Sequence, residues 1–262
     1  MRIQTLVAAV NQDVRALADR MRLETDAILV NQCDENAYLE YEYQGFQVKC
    51  YSFRERGVGL NRNNALLRAD GDILVFADED IVYDPGYAEK LRKEFEIHPE
   101  ADILLCNLRV VPERATYHTE SYGRVRWYNC GRYPTYSFAV RGDRIRKANV
   151  TFSLLFGGGA PYSNGEDSLF LMDCLRRGLR IYRTPLEIGE EVPRESGEST
   201  WFKGYNEKFF YDRGYLYHFL YGWKAGVMAF RFIHAKKSVM CGEIPAKEAY
   251  AVMKKGIADA KS

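Results

Sequence analysis

Three short runs carry side chains whose types and spacing could do chemistry. Asp78-Glu79-Asp80 follows directly on the apolar run Ile73–Ala77. Three acids at a strand end repel one another unless a cation sits among them. Carboxylates combined with water and phosphate oxygens suit Mg²⁺ or Mn²⁺. The same triplet would also serve as a solvated turn that caps the next helix. Upstream, Arg54–Asn64 reads RERGVGLNRNN, a Gly-containing loop with cations that feeds a helix. A helix N-terminus beside an arginine favours a phosphate or a base edge. The spacing is neither the Rossmann nor the Walker pattern, so an ordinary loop before a helix fits as well. Downstream, Phe156–Asp167 reads FGGGAPYSNGED. Glycines such as Gly158 let backbone approach a ligand closely. Glu166 and Asp167 then open a helix, whose dipole favours the ionised carboxylate. Such a group can take a proton from a substrate, or simply cap the helix.

The elements that must position these runs alternate. Strand patterns lie at Ile3–Val10, Ala27–Val30, Phe46–Tyr51, Asp72–Ala77, Asp102–Val111, Tyr136–Val140 and Leu179–Tyr182. Helical patterns lie at Val14–Met21, Asn61–Arg68, Pro85–Phe95 and Asp167–Arg177, and the chain is helical from Phe202 on. Asp84 is placed as N-cap of the third of these, with Pro85 at its first position. Gly178 closes the fourth. Strand–helix alternation implies βαβ units and a mostly parallel sheet. In such a sheet, ligands bind outside the carboxyl ends of the strands.

The run GVGLNRNNALLRADGDILVFADED, the later GGGAPYSNGEDSLF and the strand after LRRG together resemble family 2 glycosyltransferases of the GT-A fold, of the bacterial surface-polysaccharide type. The likeness covers roughly residues 3–205. It implies a Rossmann-like GT-A domain, a mostly parallel central sheet flanked by helices, over 1–205. Residues 1–110 would be its nucleotide-binding half and 111–205 its acceptor half, with 206–262 a helical C-terminal extension. Asp78 and Asp80 would form the metal-and-diphosphate motif, Asp80 as direct ligand and Asp78 nearer the ribose. Arg62 would contact the base or its phosphates. Asn11, Asn31 and Asp34, at strand ends, would line the nucleotide, with Gly158 in the close-approach loop. Asp167 would be the general base, supported by Glu166. Tyr162 and Trp201 are acceptor candidates, Trp201 equally a packing residue.

The implied reaction is metal-dependent transfer from a nucleotide-sugar, UDP-linked in the first instance, to a hydroxyl of a glycan or lipid-linked acceptor, with inversion. In many GT-A enzymes a histidine some twenty-odd residues after the Glu-Asp pair completes the metal site. None of the four histidines stands there. Glu190 and Glu191 lie in that region, either as substitute oxygen ligands or as solvated loop acids. A sugar nucleotidyltransferase would also combine a nucleotide-binding sheet with acidic metal sites. It normally needs a Gly-rich loop after the first strand, where this chain reads AAVNQDVRAL. A non-catalytic glycan- or lipid-binding scaffold of the same fold is the third reading.

Composition and charge narrow the remainder. With 47% hydrophobic residues the 262-residue chain can bury a core and is not disordered. Residues 1–110 hold 13 basic and 20 acidic side chains, and 111–262 hold 24 and 16, so the net +1 hides an acidic front and a basic back. That balance argues against a nucleic-acid partner. Six cysteines without CxxC or metal spacing read as reduced thiols in a cytosolic protein. No signal peptide or spanning stretch is recognisable. Tyr215–Ala235 reads as one aromatic helix. Leu216, Phe219, Leu220, Trp223, Val227 and Phe230 would share one face, and Tyr217, Tyr221, Met228 and Phe232 the other. One face would pack on the catalytic domain. The other, flanked by Lys224, Arg231, Lys236 and Lys237, would meet a second subunit or the inner face of the cell membrane. A core helix is the plain alternative.

Overall fold

The computed structural model describes residues 1–111, 117–192 and 204–261. The first half is β1 (Ile3–Val10), α1 (Val14–Arg20), β2 (Asp26–Gln32), β3 (Ala37–Tyr43), β4 (Phe46–Phe53), α2 (Val58–Arg68), β5 (Ile73–Asp78), β6 (Ile81–Tyr83), α3 (Tyr87–Ile97) and β7 (Ile103–Arg109). The second half is β8 (Gly123–Arg124), β9 (Phe138–Arg141), α4 (Gly142–Ala148), α5 (Glu166–Arg176), β10 (Ile181–Glu191), α6 (Glu207–Tyr221), α7 (Ala225–Met240) and α8 (Ala246–Asp259). Among the described residues ten strands join one sheet, in the order β3-β4-β2-β1-β5-β9-β7-β10-β6, with β8 paired to β10.

Pairing is parallel along β4-β2-β1-β5, as the alternation implies. Beyond β5 it is mixed, because β9 runs antiparallel between β5 and β7. The inner strands β1, β2 and β5 are buried at nearly every position, so both of their faces are covered. Side chains alternate between faces. Leu6, Ile28, Leu74 and Phe76 meet α2 and α5–α8 on one side. Val7, Ala27, Leu29 and Val75 meet α1 and α3 on the other. The C-terminal helices are therefore part of the core: Phe210, Leu216 and Met253 belong to the same apolar cluster as Phe76 and Phe170.

Several expectations are corrected. The third helix starts at Tyr87, with Gly86 as N-cap in the left-handed region at φ 74°. Asp84 does not cap it, because its carboxylate is bound by the Arg109 guanidinium, 2.6 and 2.8 Å away. The strand after Gly178 runs on to Glu191, so Glu190 and Glu191 are strand residues, not loop acids. Glu190 lies 3.6 Å from Arg109, and Glu191 is buried. The aromatic stretch is two helices. α6 stops at Tyr221, Gly222 takes φ 55°, and one 3-10 turn over Gly222–Lys224 leads into α7. The break divides the expected face: Leu216 and Leu220 are buried, whereas Trp223, Val227 and Phe230 are exposed. Among the described residues no helix is long and apolar enough to cross a membrane.

Candidate functional site

Adjacent strand ends build one rim. Val10 pairs with Gln32, Gln32 with Phe53, and Ala8 with Asp78, so β1, β2, β4 and β5 end together. The rim is tied by side chains. Asn61, buried in the first turn of α2, donates its amide to the carbonyls of Val30 (2.8 Å) and Ala9 (3.3 Å). Gln32 donates to the Gly57 carbonyl at 2.7 Å, and Asn31 exchanges two bonds with the Gln12 backbone. Asn11, next along, takes φ 53° and donates its N–H to the Gln32 carbonyl.

The acid triplet divides its labour. The Glu79 carboxylate accepts the Val10 N–H at 2.6 Å and so locks β1 to the end of β5. Asp80 is half-buried, and its carbonyl accepts the Val192 N–H. Asp78 accepts from Arg62 at 2.8 Å. The other arm of that guanidinium reaches Glu166 at 2.9 Å. The Arg62 side chain is only 7% exposed and lies over the Phe152 ring, 5.6 Å from its centre. Burial by itself would lower the Arg62 pKa. The two carboxylates more than offset that and hold its proton more firmly than usual. Arg62 thus joins the end of β5 to the start of α5, itself 104 residues before Glu166.

α5 begins at Glu166 after Gly165, and the two acids fill its first turn. Asp167 accepts its neighbour's backbone N–H, that of Ser168, at 2.5 Å. Desolvation and the adjacent Glu166 charge push its pKa up to about 7, against the opposing pull of the Ser168 N–H and Arg62. A carboxyl poised near neutrality is suited to taking a proton at physiological pH. The loop before it packs on α2. The Val58 N–H donates to the Gly158 carbonyl at 2.9 Å. A Cβ on Gly59 would meet the Ser153 carbonyl oxygen at 2.2 Å, and one on Gly157 would meet Glu166 Cδ at 2.8 Å. Tyr162 stacks on Tyr215 of α6 at 4.1 Å, while buried Asp212 of α6 accepts the Ser163 N–H and hydroxyl.

Asp78, Arg62, Glu166 and Asp167 are therefore brought together, with Asn11, Asn31 and Gly158 on the same rim or loop. Asp34 stands apart: its side chain is 93% exposed and paired with Arg56 at 2.7 Å. Trp201 lies outside the described residues. Among the described residues no group of three or more His, Cys, Asp or Glu side chains is arranged to hold a metal ion. The carboxylates of Asp78 and Asp80 are too few to hold a divalent ion alone. An ion there would need further oxygen ligands, such as a substrate's phosphates.

Sequence reading missed two contributors. Arg56 clasps the ends of β2 and β4 by binding both Asp34 and the Cys33 carbonyl. The segment 125–133 packs against the start of α5, where a Cβ on Gly131 would lie 3.6 Å from Ser168 Oγ. Its wording, VRWYNCGRY, was a sign: aromatic and basic, with no acid.

The chain resembles known proteins in the same sense. A family model described as glycosyl transferase family 2 matches residues 5–153. The first 349 residues of TarS from S. aureus, solved in complex with UDP-GlcNAc, superpose with a TM-score of 0.67 at 15% identity, covering 99% of this chain and 80% of that one. The same protein with UDP gives 0.59 at 16% identity, over 93% and 74%. The mannosyltransferase PcManGT from Pyrobaculum calidifontis, in complex with GDP-Man and Mn²⁺, gives 0.51 at 14% identity, over 99% and 75%. At such identities these structures share the fold. The family match spans more than half of the sequence: this chain belongs to glycosyl transferase family 2.

Proposed function

We propose that the protein is an inverting glycosyltransferase that moves a sugar from a nucleotide-sugar to a hydroxyl of a glycan or lipid-linked acceptor in polysaccharide synthesis. The observation that supports it best is the bridge Asp78–Arg62–Glu166 with Asp167 beside it. It sets a candidate base beside a strand end of the type that holds nucleotides in α/β sheets. UDP is the first nucleotide to try, since the TarS structures hold UDP-GlcNAc and UDP, with GDP second after PcManGT.

In this reading residues 1–110 bind the donor, 111–205 shape the acceptor side, and 206–262 form the helical extension. Asn11, Asn31 and, at the outer edge, Asp34 face the nucleoside. Gly158 offers backbone to the sugar, and Tyr162 with Trp201 would contact the acceptor. A divalent ion, Mn²⁺ or Mg²⁺, held by Asp80 and Asp78 with the diphosphate, would supply charge neutralisation for the leaving group. Asp167 takes the proton of the acceptor hydroxyl as its oxygen bonds to the anomeric carbon. The bond from that carbon to the diphosphate oxygen breaks, and its electron pair leaves with the nucleoside diphosphate. One displacement inverts the anomeric centre. Glu166, held by Arg62, keeps its neighbour's proton affinity high. The outer surface of 215–237 would attach the enzyme to a membrane or a second copy.

The deciding experiment is thermal shift with UDP-, GDP-, dTDP- and CMP-sugars, with and without Mn²⁺, followed by NMR of the product anomer. One nucleotide should stabilise the protein strongly only with the ion: at a hundredfold excess over Kd the gain is about 2.7 kcal/mol. No shift with any donor, or a product of retained configuration, sinks the proposal.

A further inference from the structure

The segment that packs on the start of α5 also reaches an exposed aromatic surface. Gly131 lies close to both Ser168 and Tyr221. Four residues earlier, the Trp127 ring sits 6.3 Å from Tyr221 and 5.6 Å from Tyr128. The Lys224 ammonium lies 4.5 Å from the Trp127 ring centre and 5.3 Å from that of Trp223. Two indoles thus flank one cation. From Trp223 an apolar row continues along α7: Trp223 is 87% exposed, Val227 70% and Phe230 60%. Val227 and Phe230, three residues apart, share one face of α7, and Trp223 stands in the 3-10 turn that leads into it. A surface of this kind marks a contact with something else.

The charge pattern says what that is. From Arg213 to Gly242 there is no acid, while Lys224, Arg231, Lys236 and Lys237 are basic. Arg231, Lys236 and Lys237 are exposed. We infer that this face, Trp223, Val227 and Phe230 of the α6–α7 corner with Trp127 and Tyr128 beside it, rests on an anionic lipid bilayer. Indoles favour the headgroup level, Val and Phe enter the acyl boundary, and the cations meet lipid phosphates. A second copy fits poorly. A two-fold contact sets the patch against itself, so Lys224, Arg231 and Lys237 would meet a surface to which residues 213–242 bring no carboxylate. Attachment stands on the surface alone. Its consequence rests on the proposed function: the 125–133 segment would set Asp167 at the edge of the attached face, within reach of a lipid-linked acceptor.

The test is co-sedimentation of the full chain with vesicles of phosphatidylglycerol and phosphatidylcholine, or of phosphatidylcholine alone. Wild type should bind the anionic vesicles at least tenfold more tightly, and high salt should weaken that binding. A Trp223→Ser/Phe230→Ser variant should lose tenfold or more. A Lys224→Gln/Arg231→Gln/Lys237→Gln variant should lose the preference for anionic lipid. Melting curves establish that both variants fold. Wild type that ignores anionic vesicles, or apolar-face variants that bind unchanged, overturns the inference. So does a solution dimer that the Trp223→Ser/Phe230→Ser change dissolves. Nucleotide-sugar shifts are read separately on each variant and should not move. Their absence in wild type would count against the transferase reading while leaving the vesicle result standing.

Discussion

At the ends of β1, β2 and β5 the polar groups have defined partners inside the chain. Asn61 holds two strand carbonyls, Glu79 holds the end of β1, and Arg62 holds Asp78 and Glu166. At the α6–α7 corner the reverse holds: Trp223, Val227 and Phe230 stand in solvent, with cations alongside. The first region is organised before any ligand arrives, as catalysis by preset charges requires. The second, on the inference drawn above, serves an occupant that is not part of the chain. Disturbing the first should cost chemistry and fold together. Disturbing the second should cost attachment and leave the fold alone.

Asp167 gives the largest expected effect. Asp167→Asn keeps the shape but cannot take a proton, and loss of a general base costs roughly 10²–10⁴-fold in turnover. Donor binding, read by thermal shift, should be retained. With its pKa near 7, wild-type turnover should climb through neutrality and level off above it as the carboxylate forms. Stability runs the other way. The folded pKa lies above the ordinary aspartate value, so the protonated form favours folding. That contribution is complete below the unfolded value and is lost as pH rises through about 7. Asp167→Asn should therefore melt higher than wild type at pH 8 while being inactive. Near-normal turnover in that variant would remove Asp167 from the role.

Arg62→Met comes next. It leaves two carboxylates facing each other in a site where the guanidinium was almost fully buried. Removing one partner of a buried ion pair costs roughly 3–5 kcal/mol. Chemical denaturation would read this as a fall in midpoint without a change in slope. Arg62→Lys should recover only part, because one ammonium cannot form the fork that spans both acids. A melt unchanged by Arg62→Met would mean that the bridge is not a stabilising feature.

What was legible in the sequence follows from locality. Ile3–Val10 was readable to the residue because an apolar run ending at a polar turn is a local signal. Asp78, Glu166 and Asp167 were legible as motifs at strand and helix ends. Their connection through Arg62 was not, because it joins residues 104 apart and no periodicity records it. Asp84 was misassigned because a good capping residue before a proline looks local, while its partner Arg109 comes from another strand. The break at Gly222 was missed for a similar reason. The apolar spacing runs through it, and only the burial of Leu220 beside the exposure of Trp223 shows that the face has turned.

Gly59→Ala tests the same organised region through backbone contact. The new methyl would sit 2.2 Å from the Ser153 carbonyl oxygen, and neither backbone can yield alone. Overpacking of this kind costs roughly 1–3 kcal/mol. It should also separate α2 from the 153–159 loop, which Val58 and Gly158 hold by one hydrogen bond. Donor affinity should drop along with the melting temperature. If stability falls while donor affinity holds, Gly158 is not part of the donor cradle.

The smallest effect on the fold belongs to Trp223→Ser, and its smallness is the point. A core tryptophan cut to a small residue costs roughly 3–5 kcal/mol. Trp223 is 87% exposed, and its described ring contact is with the Lys224 ammonium. A surface change of that kind should stay within about 0.5 kcal/mol of wild type. On the inferred membrane contact, a residue this large and apolar stands where folding gains little from it because its partner lies outside the chain. Urea denaturation of the isolated protein checks this without lipid. A loss of a kilocalorie or more would mean that Trp223 packs against the fold in solution. The contrast between a site satisfied within the chain and a face left for the bilayer would then fail on the α7 side.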